Sequence, residues 1–387
     1  VDYLFNAITK DISKKPKNLN NLETSGINLT EKAGRLVIKN IFLMVSLDCN
    51  QSCKYCLCKD QPYSNKKIMT WHTAKKAIDL LAHEDNKSWQ QITFYGGEPL
   101  INYDVIKKAA GYARRLQKDG ILSRKLFLVL NTNGLLITDE IARFLKKYEV
   151  EVQLSFDGIY SDHNINRVLK NGDETFSGLE VAIDILNKYE VRVVPMVTVT
   201  EQNLINLKNS LMWLTKRIKF DATSINLVLE GTLQVKKDFG KRAAAEIFSV
   251  WRWLKQEGIK DYNLEGLFEN FGKKTIPQPI CGATTSKIAI LPSGQILACQ
   301  SLGIRDFNML GKDSSIDETK RKVWSELKTV NRQGCHRCIA FGVCGGTCLR
   351  GSYTNTGSLN NYDKNSCDYM RNITKKIIIY KLGSGGV

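Results

Sequence analysis

The feature that most constrains this chain is a rhythm of six apolar runs, at 40–47 (NIFLMVSL), 91–95 (QITFY), 126–131 (LFLVLN), 151–156 (EVQLSF), 191–199 (VRVVPMVTV) and 224–229 (SINLVL). Between them lie helical patterns such as TAKKAIDLLAHE, TDEIARFLKKYE and SGLEVAIDILNKYE. Near-continuous apolar strands joined by amphipathic crossovers build a parallel sheet covered by helices. The expected fold class is α/β, with the sheet closed or partly closed like a barrel. An open doubly wound sheet is the alternative.

After about residue 231 the rhythm gives way to the helical, aromatic-bearing segment AAAEIFSVWRWLKQEG and then to a cysteine-rich stretch opening at PICGATTSK. The expected organisation is an N-terminal extension of undefined role (1–38), a barrel (39–235), a linker region (236–280), a metal-organised domain (281–375) and a C-terminal tail (376–387). With 43% hydrophobic and 25% charged residues, the chain has the composition of a folded globular protein rather than a disordered one. It has no apolar run of about eighteen residues and no signal-like N-terminal stretch, so no membrane association is expected and the expected location is cytoplasmic. The net charge of +17 is spread through segments such as KKPK and RRLQKDG with acids interleaved, which reads as a solvated surface; nucleic acid is not an expected partner.

In a reducing compartment, eleven cysteines point to metal ligands or reactive thiols rather than disulfides. Cys49, Cys53 and Cys56 are spaced C-x3-C-x2-C directly after the first strand-like run, at the edge where such sheets place ligands. Soft thiolates suit an iron-sulfur cluster, and with Cys58 as a fourth ligand they suit zinc as well. Cys281, Cys299, Cys335, Cys338, Cys344, Cys348 and Cys367 form a second set with C-x2-C-x5-C-x3-C at its heart. Seven ligands are too many for one tetrahedral site, so two further centres are expected.

The stretch CNQSCKYC resembles the signature of radical S-adenosylmethionine (SAM) enzymes, whose 4Fe-4S cluster leaves one iron open to chelate SAM. That resemblance implies a partial (β/α)6 TIM-like barrel. It also implies that Tyr55 lies beside adenine, that Gly96, Gly97, Glu98 and Pro99 (GGEP) hold the methionyl amine, that Ser155 and Arg167 lie near the ribose or carboxylate, and that Asn133 lies at the site mouth. An arginine suits a carboxylate because its planar donors bind in pairs. The second cysteine set resembles the SPASM domain, which usually carries two auxiliary 4Fe-4S clusters. By order, Cys335, Cys338, Cys344 and Cys367 would form the outer one, and Cys281, Cys299 and Cys348 the inner one, with an iron left open or filled by Cys58, water or a backbone group.

Two peptide-directed chemistries compete within this resemblance. Anaerobic sulfatase-maturating enzymes carry an aspartate as general base after the G-x4-C cysteine, but Gln300 stands there and cannot take a proton as a carboxylate does. Asp306 or Asp157 would have to substitute. PICGATTSKIAILPSGQILAC is instead similar to the opening found in maturases of ribosomally made peptides, which create thioether or carbon-carbon links. The implied partners are a precursor peptide or protein client, an electron donor such as flavodoxin or ferredoxin, and a separate leader-peptide-binding protein, since 1–38 is short for a leader-binding domain. A non-catalytic iron-sulfur or nucleic-acid-binding protein is the alternative of another class.

Overall fold

The computed structural model describes residues 36–59, 61–229, 233–271, 273, 277, 281–332 and 334–383. The proposed extension 1–38 therefore lies almost wholly outside the described residues. Strands β1 (Asn40–Ser46), β2 (Gln90–Gly96), β3 (Leu126–Thr132), β4 (Val150–Ser155), β5 (Val193–Val199) and β6 (Ala222–Leu227) pair in chain order, all parallel. Helices α1 (Trp71–Ala82), α2 (Tyr103–Lys118), α3 (Asp139–Lys147), α4 (Phe176–Lys188) and α5 (Leu207–Thr215) make the crossovers.

Strand order decides between the two sheet architectures. Right-handed crossovers that always advance in the same direction put every helix on one face. A doubly wound sheet needs a reversal in strand order, and none occurs from β1 to β6. Nor does β6 return to β1. A two-residue strand β7 (Lys260–Asp261) lies beyond β6, and β8 (Lys287–Ile290) lies beyond β1, so the barrel is partial.

The two sheet faces differ in chemistry because side chains alternate along each strand. Leu128, Leu130, Val152, Leu154, Val197 and Val199 enter the helix-covered core. The alternate positions carry Thr93, Asn131, Gln153, Ser155, Thr198, Ser224 and Asn226, a polar lining for the concave face. Helix starts are set locally: Thr70 accepts a hydrogen bond from Thr73 N (3.3 Å) ahead of α1, and Thr138 accepts one from Ile141 N (3.3 Å) ahead of α3.

Residues 236–280, expected as a linker, hold α6 (Phe239–Gln256) and α7 (Tyr262–Phe271), with Trp251, Ile247 and Leu264 buried in the main core. The expected tail from 376 is the continuation of a final helix. Two more helices, α8 (Glu318–Ser325) and α9 (Leu349–Thr356), precede that helix, α10 (Lys364–Gly383), whose Ile377 and Ile378 are buried. Gly240 lets α10 lie directly on α6, since a Cβ there would sit 2.2 Å from Asn365 O. The cysteine-rich region is also joined to the barrel sheet: β8 pairs parallel with β1, then β9 (Gln295–Leu297), β10 (Met309–Lys312) and β11 (Ser315–Ile316) continue antiparallel.

Candidate active site

The C-terminal ends of β1 to β5 meet at one edge, and hydrogen bonds join them there. Gly97 N donates to Ser46 O (2.8 Å) and Glu98 N to Asp48 O (2.8 Å), pinning the start of the cysteine loop to the GGEP turn. The two glycines are needed for this approach. Gly96 has φ +144°, and a Cβ on it would stand 1.9 Å from Ser46 O; one on Gly97 would stand 2.4 Å from Asp48 O.

Glu98 is fully buried and accepts from Leu100 N (3.0 Å), Thr132 Oγ1 (2.8 Å) and Asn133 N (2.9 Å). Burial raises its carboxyl to about 7, against three hydrogen bonds that favour the ionised form. Its side chain thus clamps the ends of β2 and β3 together and caps the turn that follows. Asn133 reaches on to Asn50 Oδ1 (2.7 Å) and to Cys49 Sγ (3.9 Å).

The other side of the cysteine loop is strapped by the segment after β4. Ser52 N donates to Val168 O (2.8 Å) and Lys54 N to Asn166 O (2.9 Å). Between them projects Arg167, 8% exposed, paired with Asp157, 2% exposed, through Nε to Oδ2 (2.9 Å) and Nη2 to Oδ1 (3.3 Å). Arg167 Nη1 lies 3.9 Å from Cys53 Sγ, and the guanidinium sits over the Tyr55 ring, 5.4 Å from its centroid. The Tyr55 hydroxyl also donates to Asp157, so this tyrosine is largely enclosed by the Asp157–Arg167 pair. Ser155 lies half-buried on the polar concave face.

Asp157 therefore holds Arg167 and Tyr55 in place rather than standing free as a base, and Thr198 N (3.0 Å) fills another of its acceptor positions. Asp306 is not free either; its exposed carboxylate pairs with Lys320 Nζ (2.9 Å). Gln300 is anchored through its Oε1 to Lys287 Nζ (3.1 Å). Sequence reasoning missed His163, whose buried imidazole accepts from Asp157 N (3.4 Å) and is held neutral by burial, with its pKa near 3. The polar run DHNINR at 162–167, which ends in Arg167, carried that signal, with Asn203 as a second unsuspected anchor, donating to Asp157 O (2.8 Å).

Cys58 does not turn toward the gap between Cys49 and Cys53. Its thiol donates to Cys56, holding the Cys56 thiol below the usual range, and lies beside Tyr63 and a small apolar cluster of Met44, Ala289 and Leu297. Four sulfurs around one zinc would stand within about 4 Å of each other. Among the described residues, no three His, Cys, Asp or Glu side chains close so tightly on one metal ion. Wider sets do form. Cys53 and Cys56 lie close enough to Cys49 for their charges to push its thiol up, and Cys281 and Cys299 lie close enough to Cys348 to do the same there. Cys335, Cys338, Cys344 and Cys367 together line one pocket.

The Radical SAM superfamily model matches residues 43–214, the span from β1 to α5. The chain carries a radical SAM domain. Among curated proteins it is 24% identical over 370 residues to the radical SAM cyclopropyl synthase TigE of Paramaledivibacter caminithermalis, covering 88% of this chain and 74% of that protein. It is 26% identical to a cysteine-type anaerobic sulfatase-maturating enzyme of Clostridium perfringens, covering 79% of this chain and 87% of that protein.

Solved structures share the fold. Native anSMEcpe with bound AdoMet superposes with a TM-score of 0.73 at 21% identity, over 90% of this chain and 100% of that one. Streptococcus suis SuiB bound to precursor peptide SuiA gives 0.59 at 16% identity, over 86% and 76% respectively. The radical SAM barrel and its cysteine-rich C-terminal domain are thus found together in this chain. No described helix is long and apolar enough to cross a membrane.

Proposed function

We propose that this chain is a radical SAM peptide maturase that abstracts hydrogen from a ribosomally made precursor peptide and closes a thioether or carbon-carbon link in it. The observation that carries the reading is the edge itself: three thiols strapped between the GGEP turn and a buried arginine, above a polar concave face. The donor chemistry of Cys49, Cys53 and Cys56 fits a 4Fe-4S cluster with one iron open for SAM. When bound, that pair supplies a 5'-deoxyadenosyl radical after one-electron reduction.

The chain's own groups position and enclose. Gly96 to Pro99 present turn backbone to the methionyl amine, since the Glu98 carboxylate is occupied by three donors from the protein. Arg167 and Ser155 face the ribose and carboxylate, Asn133 closes the mouth beside Cys49, and Tyr55 borders the adenine through its remaining exposed edge. The polar residues of the concave face receive the peptide. Cys335, Cys338, Cys344 and Cys367 hold an outer auxiliary 4Fe-4S cluster, and Cys281, Cys299 and Cys348 an inner one with an iron left for another ligand. Cys58 faces Cys56 and Tyr63 and also lies near Cys299, which keeps it, with water or a backbone group, a candidate for that ligand.

The likeness to a cyclopropyl synthase over 88% of the chain favours a carbon-carbon product. Sulfatase-type maturation is the lesser reading, because the residue after Cys299 is Gln300, and Asp157 and Asp306 are both held in ion pairs. A passive iron-sulfur or nucleic-acid-binding role would leave the three-thiol loop and the buried Arg167 without a purpose. An electron donor such as flavodoxin or ferredoxin, a separate leader-binding protein and a cytoplasmic setting complete the proposal.

The test is mass spectrometry of a short precursor peptide co-expressed with the chain. Loss of two hydrogens, mapped to a link between two residues, is expected. Conversion of a cysteine or serine in a sulfatase-derived peptide to formylglycine, with no cross-link in the precursor, would overturn the proposal.

A further inference from the structure

The cavity lined by Cys335, Cys338, Cys344 and Cys367 holds more than thiols. Arg332 also lines it and is 3% exposed. Among the described residues, its Nε and Nη2 have no hydrogen-bond partner and no carboxylate pairs with it. Two more buried groups on the same wall, Thr329 Oγ1 and Thr347 Oγ1, are also unpartnered. Leaving a buried polar group unsatisfied is costly, more so when it is charged, so three side chains with orphaned donors around one cavity point to an acceptor that belongs there.

The backbone explains how they converge. Arg332 and Thr329 lie on the short helical turn before Cys335, with Arg332 N bonded to Thr329 O (3.2 Å). Gly346 (φ +105°) brings the Cys344 loop across to them, leaving Thr329 Cγ2 3.6 Å and the Arg332 guanidinium 3.9 Å from where a Cβ would stand. Arg371 also reaches Cys338, but it lies nearer the rim and is already paired with Asp368 (2.9 Å).

We infer that Arg332, aided by Thr329 and Thr347, is a built-in cation and donor set for the sulfurs of the outer auxiliary centre and raises that centre's reduction potential. This rests on the proposed reading of the four cysteines as cluster ligands. One-electron reduction adds a negative charge to a site already made negative by four thiolates. A buried guanidinium stabilises the reduced form more than the oxidised one, because Coulomb attraction grows with the charge it faces and is poorly screened in the interior. Arg332 is a positioning and tuning residue, not a ligand.

The test is an EPR-monitored redox titration of the reconstituted full chain with dithionite as reductant, alongside iron and sulfide content. The outer-centre signal is identified as the one lost in Cys338→Ala. Arg332→Leu is expected to move that signal alone to a more negative potential at unchanged iron content, while Arg332→Lys, which keeps the charge, recovers most of the shift. Should Arg332→Leu lose the cluster, a lowered potential in Arg332→Gln serves as the same readout. An outer-centre potential equal to wild type in the variants that retain iron would overturn the inference. If Cys338→Ala removes no signal and no iron, the cluster reading itself fails, and the inference with it.

Discussion

Two buried arginines stand beside thiols in this molecule, and they are held in opposite ways. Arg167, at the first cysteine loop, is neutralised by Asp157 through two hydrogen bonds and roofed by Tyr55. Arg332, in the C-terminal cysteine region, has two nitrogens without a partner and no carboxylate beside it among the described residues. At the barrel the protein completes its own electrostatics and uses the arginine as a rigid brace for the loop. At the outer centre it leaves a positive charge open, and whatever fills the four-thiol cavity must balance it. The first arrangement suits a site that has to keep its shape while substrate comes and goes; the second suits a resident charge.

The sharpest way to break this comparison is to remove a thiol from each region. Cys53→Ala is expected to abolish 5'-deoxyadenosine formation, since its sulfur sits 3.9 Å from Arg167 Nη1 in the three-thiol loop. Cys338→Ala is expected to lose iron and peptide product while retaining SAM cleavage within a few-fold, read by chromatography of the nucleoside. Next in size is Asp157→Asn, which strips the brace and leaves a buried guanidinium uncompensated. Breaking a buried pair in this way costs about 3–5 kcal/mol, measurable as a lower urea midpoint.

A pH series probes the clamp behind the loop. Glu98 and Asp261 are both raised by burial to about 7 from ordinary values of 4.5 and 3.8. The folded chain therefore holds more protons than the unfolded chain between those ordinary values and 7, and stability falls as pH rises through that window, by about 3 kcal/mol for Glu98. Glu98→Gln should remove its share of the slope and leave that of Asp261; a slope identical to wild type in urea titrations at pH 5 and pH 8 would contradict the assignment. Gly96→Ala tests the same turn from the backbone side, with an effect at least as large as that of Glu98. Its positive φ and the 1.9 Å approach to Ser46 O predict a loss of about 1–3 kcal/mol from strain, plus the cost of the displaced backbone, seen as a lower melting temperature.

What the sequence made legible was local. Each parallel strand is a contiguous apolar run, and all six lie within a few residues of where the periodicity puts them. The cysteine spacing and GGEP announce themselves because their chemistry is carried by neighbours in the chain. Asp157, by contrast, reads in the sequence only as a substitute base, because its partner Arg167 pairs with it only after the chain folds back through the helical turn Ser161–Asn164. The direction of Cys58 depends on Tyr63 and Leu297, the latter contributed by a strand more than two hundred residues away. Residues 236–280 read as a linker because helix burial there is created by α10, which arrives last in the chain. Arg332 was invisible for a related reason: a lone arginine near cysteines has meaning only once its missing partners can be counted.

The central claim is that the loop of Cys49, Cys53 and Cys56 makes this chain a SAM-cleaving enzyme. The most direct measurement is 5'-deoxyadenosine released from SAM by the anaerobically reconstituted, dithionite-reduced full chain, with Cys53→Ala in parallel. Formation of the nucleoside by the wild type, and its loss in the variant, is the result expected. No nucleoside from a wild-type preparation with its iron and sulfide intact, or equal amounts from both proteins, would contradict the account.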